Sequence, residues 1–365
     1  MKIAFYAPMK APNHPVPSGD RQMGRLLIAA LELAGHEVTI ASRLRSYGKE
    51  PDDSHYEEIN RAAGATIDRL AALWEKEGPP DIWFCYHSYY KSPDMIGPVL
   101  ADRFGCAYVT AEASYSSRRN VGAWARTQAC VLDGVRRAAL NICFTARDME
   151  GLAAAAPEAR LALLPPFIDT APWLTVPSQP EPGRLITVAM MRPGDKLNSY
   201  RDLAAALGRI GHLPWRLAII GDGPEHGAIE ELFSGFPPER IDWLGELAPD
   251  AIARQLARAS IYVWPGHGEA FGLAYLEAQA AGLPVVAQAV AGVPEVVEAG
   301  ESGLLTPAGD VEAFADAIAT LLTKPDQRER MSAAAKRRVV EHHSLSGAAH
   351  RLDALLAGHH KGTPS

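Results

Sequence analysis

At 365 residues the chain is long for a single hydrophobic core and suits two domains of ordinary size. Its 36 basic and 43 acidic residues, mixed along the chain, give a formal charge of −7, which excludes the strongly basic footprint of a nucleic-acid binder. The start, MKIAFYAP, turns polar and proline-rich with no signal-peptide core, and no apolar run reaches the roughly 18 residues that span a bilayer, so a cytoplasmic protein is expected, with contact at a membrane surface left open.

In chain order, short β-branched or aromatic runs at 3–7, 37–41, 82–86, 107–110, 141–144 and 161–164 alternate with helical stretches. Asp20 is placed to cap a helix running through Arg25, Leu27 and Leu31 to a stop at Gly35, and a second helix is expected over about 121–139. This alternation predicts a Rossmann-like domain, a mostly parallel sheet with helices on both faces, over residues 1–170. Cys85, Cys106, Cys130 and Cys143 lack CxxC spacing and read as reduced, mostly buried thiols.

Residues 171–183, rich in proline, read as a linker. Strand runs resume at 185–189, 216–220, 241–244, 261–264 and 285–287, with helices between them and a long charged helix near 327–341, giving a second Rossmann-like domain over 184–344. A helical stretch at 345–358 follows and is placed to return to the first domain, and 359–365 read as a disordered tail.

The sharpest feature is Glu269-Ala-Phe-Gly-Leu-Ala-Tyr-Leu-Glu277, directly after the apolar run 261–265 and a glycine-bearing turn. The pattern reads strand, loop, helix start. It would offer the backbone N–H groups of Phe271, Gly272 and Leu273 at a helix N-terminus, a place that attracts anions. Taken alone, Glu269 and Glu277 read first as carboxylates that favour the first turns of a solvated helix.

The surroundings decide between these readings. The stretch from Glu269 to Val286 resembles the Glu-x7-Glu signature of retaining group-1 (family four) glycosyltransferases. So, in the same order along the chain, do Pro17-Ser-Gly-Asp20, Gly35-His-Glu-Val38, Arg192 with Lys196, Gly221-Asp-Gly-Pro224, Leu244-Gly245, Gly292-Val-Pro-Glu295 and Gly303-Leu-Leu-x-Pro307. The resemblance is strong in the second half and weaker in the first. It implies a GT-B fold: two Rossmann-like doubly wound domains, an interdomain cleft and a C-terminal helix crossing back to the first domain.

That resemblance implies that Glu277 binds the ribose hydroxyls of a nucleoside-diphosphate sugar and that Glu269 contacts the transferred sugar. The amides of Phe271, Gly272 and Leu273 would hold sugar and diphosphate, and the backbone of Leu247 would meet the base. A carboxylate suits neighbouring hydroxyls because charge assistance strengthens the bonds it accepts. Arg192 and Lys196 match the family's paired cations, which would neutralise the leaving diphosphate as the glycosidic bond breaks. With those cations no metal is expected, and Asp52-Asp53 reads as surface in a polar loop. One departure is Gly266-His-Gly268, which stands where the family commonly has a serine after the proline.

In the first half, His87 ends a buried strand at the place of a family histidine that touches the donor sugar. Gly19 stands where the family usually has two glycines near the donor phosphate, although Ser18-Gly19-Asp20 also reads as a capping turn. Glu112, Tyr89, Tyr90 and Tyr115 fall at strand ends and are the candidate acceptor contacts, with a structural carboxylate as the other reading of Glu112. Core packing accounts for Trp83. Arg118, Arg119, Arg126, Arg136 and Arg137 read as a solvated face, or as a dock for anionic lipid or a phosphorylated acceptor.

The expected partners are therefore a nucleotide sugar and a hydroxyl acceptor, whether glycan, lipid-linked or small molecule, in a hexosyltransferase reaction that retains anomeric configuration. The alternatives are a sugar-nucleotide epimerase of the same fold and a non-catalytic nucleotide-sugar-binding subunit.

Overall fold

The apolar runs become strands because sheet-forming side chains here are covered on both faces, as parallel sheets flanked by helices require. The structure is a computed structural model and describes residues 1–16, 18–50 and 52–359. It divides into two units, residues 1–165 with the segment from Leu345 onward, and residues 166–344.

In the first unit β1 (Lys2–Tyr6), β2 (Glu37–Ser42), β3 (Ile82–Tyr86), β4 (Ala107–Ala111), β5 (Leu140–Cys143) and β6 (Leu161–Leu163) form one parallel sheet in the order β2-β1-β3-β4-β5-β6. The registers Ile3↔Ile82 and Ile82↔Ala107 bring the C-terminal ends of β1, β3 and β4 side by side. Phe5 and Phe84 stack at 5.6 Å in the interior. Trp83 is fully buried and donates from Nε1 to Asp94 Oδ2 at 2.9 Å, so it is a core residue. Helix Leu345–Leu356 belongs to this unit and packs on helix Gly19–Leu33.

In the second unit β7 (Arg184–Val188), β8 (Arg216–Ile220), β9 (Ile241–Trp243), β10 (Ile261–Val263), β11 (Val285–Gln288) and β12 (Gly303–Thr306) make a second parallel sheet, ordered β12-β11-β10-β7-β8-β9. Eleven strands lie within about two residues of their expected positions, and β12 is additional. It opens on Gly303, where a Cβ would collide with the Val285 carbonyl, so close strand approach selects a residue without β propensity.

Four expectations need correcting. Ser18, not Asp20, caps the first helix: its side chain accepts from Arg21 N at 3.2 Å, which leaves Asp20 in the first turn for another partner. Asp52-Asp53 is not a loop but the start of the 25-residue helix Asp53–Glu77, with Asp52 accepting from Ser54 N at 2.8 Å as its cap. Residues 171–183 do not separate the units, since the division falls between Pro165 and Pro166. There Trp173 is buried, and the amides of Gln179 and Glu181 donate to Ala257 and Arg258 carbonyls at 2.8 Å, so the proline-rich stretch is packed on the second unit.

The tail supplies the fourth. Residues 360–365, most of the stretch expected to be disordered, lie outside the described residues, as do Pro17 and Pro51; His359, expected to open that stretch, belongs to the 3-10 turn Ala357–His359.

The arginine run is largely neutralised. Arg126 pairs with Asp53 and Glu57, Arg136 with Glu158, and Arg137 with Asp102 and Asp133, as the solvated-face reading requires. Cys85, Cys106 and Cys143 are buried, Cys130 is partly so, and all four are free. Among the described residues no helix is long and apolar enough to cross a membrane.

Candidate active site

Each unit gathers its candidate residues at the C-terminal ends of its strands, where doubly wound sheets hold ligands. In the first unit the strand order reverses between β1 and β3, and that switch point is occupied by the candidate His87 together with Asp20. Asp20 lies in the helix after β1 and His87 follows β3, with Nδ1 of the ring 2.8 Å from Asp20 Oδ1.

His87 and Glu112 are two of the three non-glycine residues with positive φ among those described, at 59° and 57°. Both extend their strands by one residue in a left-handed conformation: His87 N donates to Ala111 O, and Glu112 N to Ile142 O, each at 2.8 Å. Such backbone costs about 1 kcal/mol or more and persists only where its surroundings impose it, most often at functional positions. Burial alone would lower the His87 pKa, but the Glu112 charge and the Asp20 hydrogen bond and charge outweigh it and raise the imidazolium to about 9. Burial pushes the Glu112 carboxyl up to about 7, against the pull of His87, and its Oε2 is buried with no hydrogen-bond partner among the described residues.

Tyr89 stacks on the His87 ring at 4.9 Å, and Tyr90 meets Tyr89 edge-on at 5.3 Å and Trp124 at 4.9 Å. Tyr115 stands apart: its ring packs on a cluster that includes Val131 and Leu152, and its hydroxyl accepts from Asn120 at 2.9 Å. Gly19 starts the helix with open space around it, for a Cβ there would meet no protein atom within 4 Å.

In the second unit Glu269 and Lys196, 73 residues apart, are ion-paired, with side chains 18% and 25% exposed. Lys196 is in the first turn of helix Asp195–Arg209, an unfavourable place for a cation unless an anion compensates, and its ammonium also lies 5.6 Å over the Trp264 ring. Arg192 is exposed, and its guanidinium has no side-chain partner among the described residues. Its loop is held by the Gly221–Pro224 turn, where Met191 N donates to Asp222 O at 2.9 Å. Side chains at Gly221 and Gly223 would strike the carbonyls of Ala189 and Met191.

Helix Leu273–Ala280 begins at Gly272, whose φ of 72° no β-carbon residue adopts easily, so Phe271, Gly272 and Leu273 sit at a true helix N-terminus. Glu277 lies one turn further on, partly buried, its carboxylate without a hydrogen-bond partner among the described residues. Desolvation pushes its carboxyl up to about 7. Leu247 lies in the loop after β9, partly buried.

Sequence reasoning missed several residues here. Asp20 is the partner of His87, and Ser18, the better-placed cap, was the available signal. Tyr275 shapes the Glu269 loop: its hydroxyl donates to Trp264 O at 3.1 Å, and its ring and hydroxyl fill the space that β-carbons at Gly272 and Gly266 would need. His267 also binds Ser199 and Asp202 across more than 60 residues, a distance at which no local pattern speaks.

Comparison with known proteins bears on this geometry. Residues 182–324 match the family model described as Glycosyl transferases group 1. The chain is 37% identical over 124 residues to the sulfoquinovosyl transferase of Arabidopsis thaliana, a match covering 33% of this chain and 24% of that protein. It is 27% identical over 317 residues to the D-inositol 3-phosphate glycosyltransferase of Mycolicibacterium paratuberculosis, covering 79% of this chain and 69% of the relative. Several curated relatives are matched over far less of their own length, 18% for an exopolysaccharide phosphotransferase of Streptomyces coelicolor and 38% for the N-acetyl-alpha-D-glucosaminyl L-malate synthase of Bacillus anthracis. Among solved structures, sucrose-phosphate synthase from Thermosynechococcus elongatus superposes with a TM-score of 0.76 at 21% identity over 98% of both chains. Anabaena HepE in complex with UDP-glucose gives 0.70 at 14% identity over 98% of this chain and 100% of that one. The fold is thus that of GT-B proteins, and residues 182–324 of the second unit match the group 1 glycosyl transferases.

Proposed function

We propose that the protein is a glycosyltransferase that moves a hexose from a nucleoside-diphosphate sugar to a hydroxyl acceptor with retention of configuration and without a metal. The observation that carries this reading is the pairing of Lys196 with Glu269 beside the helix that starts at Gly272. Two opposite charges and a helix N-terminus in one place suit a ligand that is itself part polyol and part diphosphate. Glu269 and Glu277 accept sugar and ribose hydroxyls, while Lys196, Arg192 and the helix N-terminus meet the phosphates.

The chemistry follows from charge. As the glycosidic bond breaks, negative charge grows on the departing diphosphate, and fixed cations stabilise it more than they stabilise the bound donor. In the same-face substitution assigned to this family, the departing phosphate takes the acceptor proton, so no carboxylate nucleophile is needed. In the first unit His87, kept charged by Asp20 and Glu112, is the residue that the resemblance assigns to the donor sugar. Glu112, Tyr89 and Tyr90 are assigned to the acceptor, Gly19 to close passage of the donor phosphate, and Leu247 to the base.

Named relatives support transfer over epimerisation: a sulfoquinovosyl transferase and inositol-phosphate glycosyltransferases are among them, and the Anabaena neighbour was solved with UDP-glucose. Incubation with a panel of nucleotide sugars, following slow release of nucleoside diphosphate without acceptor, tests the reading and ranks base and sugar together. Release from none of them, with no nucleotide binding, contradicts it.

A further inference from the structure

The loop that carries Glu269 is poorly equipped to hold its own shape. Of its eight residues 265–272, Gly266, Gly268 and Gly272 are glycines with φ of 86°, 64° and 72°, and glycine loses the most conformational freedom on ordering. Much of its anchorage comes from outside, through His267. The backbone N–H of His267 donates to Ser199 Oγ at 3.0 Å, and its ring Nε2 lies 2.7 Å from Asp202 Oδ2. Asp202 also accepts from Gln288 Nε2 at 3.3 Å, and Gln288 Oε1 accepts from Gly309 N at 3.0 Å, so the carboxylate is itself fixed to β11.

The partners of this loop share one helix face. Asp195, Ser199 and Asp202 stand at i, i+4 and i+7 of helix Asp195–Arg209, and the Asp195 side chain lies against Gly268, leaving no room there for a β-carbon. Lys196 projects from the first turn of the same helix onto Glu269, two residues beyond His267. The His267 and Asp202 side chains are 27% and 22% exposed, sheltered enough for a fixed bond yet not part of the apolar core.

We propose that His267 is a positioning residue: through Asp202 and Ser199 it fixes the register of loop 265–272 on the helix that bears Lys196, and so holds the Glu269 carboxylate opposite that cation. Its kinetic consequence rests on the glycosyl-transfer reading; its structural consequence does not. Misplacing a charge by about 1 Å costs about 100-fold in rate, whereas donor contacts made by Glu277 and the helix N-terminus do not pass through His267.

The test uses His267→Ala, His267→Gln, Asp202→Ala and the double variant His267→Ala/Asp202→Ala in the full chain. Hydrogen exchange is followed over 265–272, UDP affinity by calorimetry, and turnover with the nucleotide sugar that the wild type hydrolyses fastest. For His267→Ala the expectation is exchange faster by about tenfold in the loop with helix Asp195–Arg209 unchanged. Turnover should fall about 10- to 100-fold while UDP affinity stays within about twofold, Gln should restore part of the loss, and the double variant should be no worse than His267→Ala. Unchanged loop exchange, a parallel fall of turnover, UDP affinity and melting temperature, or fully multiplicative losses in the double variant overturn the proposal. A wild type that hydrolyses no nucleotide sugar defeats the transfer reading instead, and the exchange comparison then decides the role of His267 by itself.

Discussion

His87 Nδ1 lies 2.8 Å from Asp20 Oδ1 across the point where the first sheet reverses its strand order, so a half-buried imidazolium is set at the place such sheets reserve for ligands. The pair has a pH signature. His87 is raised from 6.5 to about 9, so its contribution to stability is fully present below about 6.5 and is lost as pH rises through about 9. Glu112, raised from 4.5 to about 7, works in the same direction between those two values. Asp20, lowered by its partner, contributes above its ordinary pKa and loses that contribution as pH falls. Urea unfolding should therefore give a stability that declines from pH 6 to pH 9.5, and Asp20→Asn should flatten the alkaline part of the decline. An unchanged profile in that variant contradicts the coupling.

The Glu277 carboxylate is partly buried with no hydrogen-bond partner among the described residues, an arrangement that costs folding energy until a ligand donates to it. Glu277→Ala should leave the fold as stable as the wild type or more so, yet weaken nucleotide-sugar binding by about 2 to 4 kcal/mol. Because burial raises the carboxyl to about 7, wild-type affinity should also fall as pH drops below that value. Calorimetry at pH 6 and pH 8 reads both effects, and equal affinity in variant and wild type removes Glu277 from the donor site.

Arg192 and Lys196 differ in their surroundings, and the difference is measurable. Arg192→Ala removes an exposed side chain with no partner among the described residues, so stability should not change; Lys196→Ala strands Glu269 and should lower it modestly. Both should reduce turnover by about 100-fold or more with a smaller effect on donor affinity. A variant that kept its turnover number and changed only the Michaelis constant would be a binding residue alone.

Gly272→Ala tests the loop's geometry. The new methyl would sit 2.5 Å from the Tyr275 ring on a backbone at φ 72°, so a loss of about 1 to 3 kcal/mol is expected in denaturant unfolding. A melting temperature equal to the wild type contradicts this shape for the loop.

Much of this was legible in the sequence because it is local. Alternating apolar runs fix strands whatever lies elsewhere in the chain, and Glu269 to Glu277 spells loop and helix start in nine residues. What escaped was set by distant partners or by competing local signals. Gly303 opens β12 only because Val285 lies so close, and Trp173 anchors a stretch whose prolines read as linker. Asp52 reads as polar loop because the first turn after it is polar; the buried stripe of that helix starts only at Ile59 and runs through Ala63, Leu70, Ala71 and Trp74. The positive φ of His87 and Glu112 arises where a strand end meets the next strand's carbonyl, which no neighbouring residue announces.

The most direct measurement is release of nucleoside diphosphate from a panel of nucleotide sugars in excess chelator, comparing the wild type with Lys196→Ala. The account expects one donor to be hydrolysed slowly by the wild type, with the rate falling about 100-fold in the variant and no gain on adding magnesium or manganese. Equal rates in the two proteins, or release that appears only with added metal, would contradict it.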